Sequence, residues 1–219
     1  MPESKVSKIV ADALKVAADG LSRWLGHSVD TEDVITTKLS LAVPNEVMCC
    51  CSMSVDAAIG SPNLSDASAL EMNSAGLLLL AWRSDEAAWL VDESLGRDGT
   101  SADASGWSEL ELSAISETSN VVGCEFLNAV AEGVRDVSGT DVSLMPNPPH
   151  IEHRLASGWM DGAILEVEAS SDQQDQAWLA TGTFQVAEHA IHTRFAMVWR
   201  PQVWKRLKKL VSDSENGEA

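Results

Sequence analysis

Three polar side chains in residues 107–134 have the types and the spacing to act together. Ser113, Glu117 and Asn120 recur at i, i+4 and i+7. In a helix, at about 100° per residue, they leave one side within roughly 60° of one another. A carboxylate accepts hydrogen bonds or pairs with a cation, and a carboxamide both donates and accepts. The spacing predicts an acid and an amide one turn apart, facing outward towards another molecule.

The helix that carries these residues has an opposite side that is suited to burial. Ser108 is a good N-cap, because Glu111 follows three residues later and completes a capping box. We expect the face turned away from Ser113 to pack on the core. Its apolar and small side chains are Leu112, Ile115, Ser119, Val122, Phe126 and Val130.

The remaining chain predicts an α+β fold with a largely antiparallel sheet, because helices and strands do not alternate regularly. Further helices are predicted over residues 5–25 and 85–95, which end at Gly26 and Gly96. The predicted strands are residues 36–43, 47–55, 75–82, 162–169, 177–188 and 190–199. Turns at residues 44–45 and 173–175 and a mobile connection over residues 57–74 are predicted between them.

Composition and charge exclude several classes of partner. The 219 residues carry a net charge of −18, which excludes nucleic acid or an anionic membrane as the main partner, because phosphate contacts require a basic patch. No apolar run is long enough to cross a bilayer, and the N-terminus lacks the pattern of a secretory signal, so a cytoplasmic location is expected.

Residues 1–199 are expected to form a single domain, followed by an amphipathic basic helix and a disordered tail over residues 200–219. The basic residues of this helix suit a docking or membrane-surface helix. We favour the alternative, an end helix that packs Trp204 on the sheet.

The cysteines and histidines predict no metal centre. The consecutive cysteines at 49–51 alternate across a strand, and we expect reduced thiols that fill space in the sheet. His189 and His192 lie three apart in a strand-like segment and therefore point to opposite faces. For His150 and His153, which flank a glutamate, surface positions are favoured over a weak metal site.

The long helix, with Ser113-x-x-x-Glu117-x-x-Asn120 followed by FLNAV at residues 126–130, resembles the CheC, CheX and FliY family of bacterial chemotaxis phosphatases. That family carries an acidic residue or a serine, then E-x-x-N on a helix, and a proline further along the chain. Here the proline is Pro146, Pro148 or Pro149. Residues 77–96 and the first helix are similar to the segments that precede the family's site helix.

The resemblance implies a CheC-like fold, in which two pseudo-symmetric helices and a short helix flank a long antiparallel sheet. It also implies a phosphatase that hydrolyses the aspartyl phosphate of a CheY-like receiver domain in chemotaxis or two-component signalling. An acyl phosphate needs an in-line water and charge stabilisation. Asn120 would orient the water, Glu117 would pair with the receiver's lysine, and Ser113 would contact the partner at the rim. Mg²⁺ is expected from the receiver, with no cofactor of the chain's own.

Two departures from the family pattern keep alternatives open. The family usually has a glycine before the asparagine, where this chain has Ser119 preceded by Thr118. Ser4, Lys8 and Ala11 take the equivalent positions on the first helix, and they lack the acid and the amide, so one site per chain is expected. The alternative is a non-catalytic adaptor that docks to a receiver, a CheD-like protein or a flagellar-switch component. A scaffold whose polar stripe is solvated surface, and a homodimer, also remain open.

Overall fold

A computed structural model describes residues 5–38, 46–60, 73–99, 106–169 and 177–213, without the side chains of residues 33–38 and 73. In chain order the helices are α1 (Lys5–Leu25), α2 (Ser84–Leu95), α3 (Glu109–Ser138), α4 (Ala156–Ala169) and α5 (Pro201–Asp213). The strands are β1 (Val29–Lys38), β2 (Val47–Ile59), β3 (Asn73–Trp82), β4 (Val142–Pro146), β5 (His150–Leu155), β6 (Trp178–Val186) and β7 (Ile191–Trp199).

The strands form one antiparallel sheet in the order β1-β6-β7-β3-β2-β4, and β5 also pairs with β2. The long β2 pairs with β3 on one side and, on the other, with β4 through Val55–Ile59 and with β5 through its first half. The N–H of Asn147, which lies between β4 and β5, donates to the carbonyl of Ser54 at 2.8 Å. The predicted α+β fold with a largely antiparallel sheet is confirmed.

Helices cover both faces of this sheet. The main core lies between one face and α1, α2, α3 and α5, and a smaller core lies between the opposite face and α4. Because successive strand residues alternate, Cys49 and Cys51 enter the main core and Cys50 enters the smaller one. All three are fully buried, as the sequence predicts. Among the described residues, no helix is long and apolar enough to span a membrane.

The helices α1 and α3 lie antiparallel and very close to each other. A Cβ added at Gly133 would come within 2.7 Å of Cγ2 of Ile9, and one added at Gly20 would come within 2.6 Å of Cγ of Glu125. Nearer the C-terminal end of α1, the indole N–H of Trp24 donates to α3 at 3.2 Å. Glycine at these two positions therefore permits the approach of the two backbones.

The predicted long helix is confirmed as α3, which extends four residues beyond the predicted end. Its capping box is present: the Ser108 hydroxyl accepts from the N–H of Glu111, and the Glu111 carboxylate accepts from the N–H of Ser108 at 2.7 Å. The predicted core face is buried except at Leu112, which is 38% exposed. That placement was wrong because the first turn of α3, with Leu110 56% exposed, stands clear of the core.

The predicted strand over residues 162–169 is wrong, because these residues belong to α4. The alternation of apolar and acidic side chains in this short window suggested a strand. The wider segment has helical periodicity, which the structure shows in its buried side chains: Ala156, Trp159, Met160, Ala163, Ile164 and Val167. The strand β5, next to the proline cluster, was not predicted.

Other boundaries also differ. The strand predicted at 36–43 begins at residue 29 instead, and residues 39–45, with the predicted turn at 44–45, lie outside the described residues. The mobile connection predicted over 57–74 is wrong at its ends, since residues 57–59 belong to β2 and 73–74 to β3. The turn predicted at 173–175 lies outside the described residues.

The C-terminal helix α5 packs against the main core. Trp204 is fully buried and stacks on Trp178, with ring centroids 5.1 Å apart. Leu207 and Val211 of the same face are buried as well, and the ammonium of Lys208 lies 5.4 Å from the Trp178 ring. The prediction of an end helix that packs its tryptophan on the sheet is confirmed.

We expect the substitution Gly133→Ala to lower the free energy of unfolding by about 1–2 kcal/mol, because the new methyl group would overlap Ile9. Gly158→Ala is the matched control, since Gly158 lies in α4 with open space around it. It should raise the free energy of unfolding by about 0.5–1 kcal/mol through helix propensity alone. Urea unfolding of both variants measures the difference, and equal stabilisation by both would contradict the close approach.

Candidate functional site

The predicted site residues lie on the outward side of α3. Ser113 and Glu117 are exposed, and Asn120 is half-buried. Among the described residues, neither Glu117 nor Asn120 takes part in a side-chain hydrogen bond or an ion pair. The structure thus presents an acid and an amide one helical turn apart, with their polar atoms available to a partner.

The two residues that depart from the family pattern point away from this outward side. The Thr118 hydroxyl donates to the carbonyl of Ala114 at 2.9 Å, and the Ser119 hydroxyl donates to that of Ile115 at 2.8 Å. Both side chains are buried, and these bonds to the preceding turn satisfy their hydroxyls inside the helix packing. The departures therefore leave the exposed face of Glu117 and Asn120 unchanged.

The last turn of α1 forms one flank of the site helix. Trp24 is 41% exposed, and its indole N–H donates to the Thr118 hydroxyl. Two turns further along α3, the Glu125 carboxylate pairs with the guanidinium of Arg23 at 2.7 Å. The side of α3 next to Glu117 is thus bordered by a partly exposed aromatic ring and an ion pair, which were not predicted from the sequence.

The middle of the C-terminal helix lies far from the site. Arg206 of α5 donates to the carbonyl of Ile59 at 3.1 Å, and Ile59 pairs with Val142, just beyond the C-terminal end of α3. Glu117 precedes that end by about 30 Å along the helix axis. This part of α5 and Glu117 therefore lie at different ends of α3.

The other predicted positions are placed as follows. Pro146 ends β4, and residues 148–149 form the link to β5 at the edge of the sheet. On α1, Lys8 is exposed and Ala11 half-buried, so this stretch presents neither an acid nor an amide at those positions. Ser4 lies outside the described residues.

No protein-family model matches the sequence, and curated proteins give no significant match. Among solved structures, FliY from Thermotoga maritima matches with a TM-score of 0.61 and 18% identity, over 98% of both chains. The chain has the FliY fold. The FliM middle domain from H. pylori matches at 0.53 and 9% identity, over 94% of this chain and 95% of that chain. That from Vibrio alginolyticus matches at 0.50 and 10%, over 94% and 99%. The CheC-like fold implied by the sequence resemblance is confirmed.

Within this FliY fold, a second set of polar groups surrounds a cavity of about 590 Å³ at one end of the sheet. Its buried carboxylate, Glu86 of α2, accepts from the backbone N–H of Arg83 at 2.8 Å and from Arg194 at 2.9 Å. The Nδ1 atom of His192 also lies 3.2 Å from Glu86. Sequence reasoning missed this network, because α2 and β7 are far apart in the chain.

Two histidines that sequence reasoning treated as isolated meet beside this cavity. His27 follows α1, and His189 lies in the turn between β6 and β7, with their ring centroids 5.0 Å apart. Trp89 of α2 packs against both rings, at 5.5 Å from His27 and 4.7 Å from His189. The Nε2 atom of His27 lies 3.1 Å from the carboxylate of Glu93.

The four cysteines of this chain differ in exposure. Burial raises the pKa of Cys50 to about 12 and that of Cys51 to about 11, and it raises the pKa of Cys49 further still. Cys124 is exposed on the site helix, one turn beyond Asn120. Desolvation raises its pKa, and the carboxylates of Glu125 and Glu117 raise it further.

Under native conditions we expect Cys124 to be the thiol that a small alkylating reagent modifies, because the three sheet cysteines are buried. Glu117→Gln removes one negative charge near this thiol, so its pKa should fall and the midpoint of the pH–rate profile should move to lower pH. Mass spectrometry and the alkylation rate between neutral and alkaline pH measure both effects. Ser113→Ala is the control. If Glu117→Gln has the same pH–rate profile as the wild type, the Glu117 charge does not affect the Cys124 thiol.

Proposed function

We propose that the chain is a phosphatase that hydrolyses the aspartyl phosphate of a CheY-like receiver domain in chemotaxis or two-component signalling. The observation that carries this proposal is the outward-facing pair of Glu117 and Asn120 on α3, which has no hydrogen bond or ion pair among the described residues. The pair lies on the long helix α3, whose opposite side is packed from Ile115 to Val134.

The rigidity of α3 favours catalysis by positioning. One side of the helix packs on the sheet through buried residues from Ile115 to Val134, and a second side packs on α1. The backbone that carries the pair is therefore already fixed, and only the two side chains have to be ordered when they enter a partner's site. Holding a reacting group in the correct position can supply a large part of the reduction in activation free energy. A rigid helix therefore suits a reaction that proceeds without a covalent intermediate.

Each residue has a role that matches its chemistry. The Asn120 carboxamide, which accepts through oxygen and donates through nitrogen, would hold a water in line with the phosphorus atom. The Glu117 carboxylate would pair with the receiver's lysine and fix the helix relative to the phosphate. Ser113 would contact the receiver at the rim, and the receiver would supply Mg²⁺. The chain then contributes the water's orientation, and the receiver contributes the charge stabilisation.

The surroundings of the pair suit a protein partner. The exposed first turn of α3 presents Leu110 and Leu112, and Trp24 is partly exposed beside the same helix. Apolar and aromatic side chains of this kind provide contact area at protein interfaces. The net charge of −18 would speed association with a receiver that has basic groups around its own site.

A non-catalytic adaptor is the second candidate, because the same fold occurs in FliM middle domains. Such a protein would dock to a receiver, a CheD-like protein or a flagellar-switch component through the same face. The fold is common to both candidates, and the acid–amide pair favours the phosphatase.

The substitution Asn120→Ala should reduce the acceleration of receiver dephosphorylation by about 10²-fold while receiver binding persists, because the water loses its orientation. Asn128→Ala is the matched control, since Asn128 is an exposed asparagine on the same helix. The measurement is the decay of a phosphorylated receiver from the same organism, with each variant present.

Glu117→Ala should weaken binding of the phosphorylated receiver as well as its dephosphorylation, because the proposed ion pair is lost. Binding of the wild-type chain to the receiver without any acceleration would reject the phosphatase and support the adaptor. Acceleration that survives Asn120→Ala would place the chemistry elsewhere.

A further inference from the structure

The turn after α1 and the turn between β6 and β7 bring together three side chains with metal-binding chemistry. One ligand atom each from His27, Glu188 and His189 can be chosen so that all three atoms lie within 4.8 Å of one another. We propose that this His27–Glu188–His189 cluster binds a divalent transition-metal ion of the zinc type. The proposal is independent of the phosphatase site on α3.

The donor set matches the chemistry of such an ion. Zinc in proteins is held by imidazole nitrogens and carboxylate oxygens, and two histidines with one glutamate leave a fourth position for water. Ligand atoms around a tetrahedral zinc ion lie about 3.3 Å apart, so the three groups must close by about 1.5 Å at most. Glu188 and His189 are exposed in a turn, where rotation of their side chains can make this adjustment.

The histidine rings are held by groups around them. The Glu93 carboxylate lies 3.1 Å from Nε2 of His27. A carboxylate on one ring nitrogen orients the imidazole and increases its basicity as a ligand through the other nitrogen. Trp89 contacts both rings, which restricts their rotation. The arrangement therefore includes outer contacts of the kind that metal-binding histidines have.

The charge and access at the cluster also suit a cation. His189 lines the 590 Å³ cavity, which gives an ion a path from solvent. The two arginines of that cavity are paired, Arg83 with Asp85 at 3.6 Å and Arg194 with Glu86 at 2.9 Å. His192 likewise faces Glu86 and belongs to that neighbouring network. The cluster itself consists of His27, Glu188 and His189.

A metal ion at this position would link the end of α1 to the β6–β7 turn. Because such a link exists only in the folded chain, binding would raise the melting temperature in proportion to the logarithm of the zinc concentration above Kd.

Isothermal titration of the full chain with Zn²⁺ tests the proposal. We expect one ion per chain and a loss of affinity of at least about tenfold in His27→Gln, His189→Ala and Glu188→Gln. Glu188 is exposed, so Glu188→Gln should fold as the wild type does. His150→Ala is the matched control, because His150 is an exposed histidine beside Glu152 on β5, a different part of the sheet.

Thermal unfolding with and without Zn²⁺ provides an independent readout. The wild type and His150→Ala should be stabilised by zinc, whereas His189→Ala and Glu188→Gln should lose most of that stabilisation. Absence of zinc binding in the micromolar range would overturn the proposal. Binding that survives all three cluster substitutions, or that His150→Ala abolishes, would overturn it as well.

Discussion

The close packing of α1 on α3 is the constraint on which the arrangement of the molecule depends. Glycine at positions 20 and 133 lets the two helices approach until a methyl group would overlap the neighbouring chain. With the sheet beneath and α1 on one flank, α3 has a single outward side. Glu117 and Asn120 lie on that side because their spacing matches the helical repeat. The exposure of the acid–amide pair is therefore a result of backbone packing as much as of the motif itself.

The polar residues of α3 fall into two groups that differ in burial. Thr118 and Ser119 are buried and direct their hydroxyls to carbonyls of the preceding turn, whereas Glu117 and Asn120 are available to a partner. Ser119, at the position where the chemotaxis phosphatases usually have a glycine, therefore adds a buried hydroxyl whose hydrogen bond is satisfied within the helix. On the other helix of the pair, the end of α1 contributes both to the flank of α3 and, through His27, to the cavity end of the sheet.

Local chemistry predicted the parts of the structure that depend on near neighbours in the chain. The capping box at Ser108, the buried face of α3 and the exposure of Glu117 all follow from residues within a few turns. The helix α4 was missed because a short alternation in residues 165–169 outweighed the wider helical repeat. The contact of Trp24 with α3 and the contact of His27 with His189 could not be predicted, since only the tertiary fold brings these distant segments together. The catalytic roles of Glu117 and Asn120 and the partner contact of Ser113 remain predictions from the resemblance.

The broken edge of the sheet has a consequence for association between molecules. Strands β4 and β5 run along β2 and are separated by residues 147–149, two of which are prolines without an N–H group. Charged and ring-bearing side chains follow on β5, including Glu152 and Arg154, which pair with each other at 2.8 Å. An edge with prolines and charges gives an incoming strand no continuous row of donors and acceptors. On this side of the molecule, edge-to-edge pairing between copies of the sheet is thereby disfavoured.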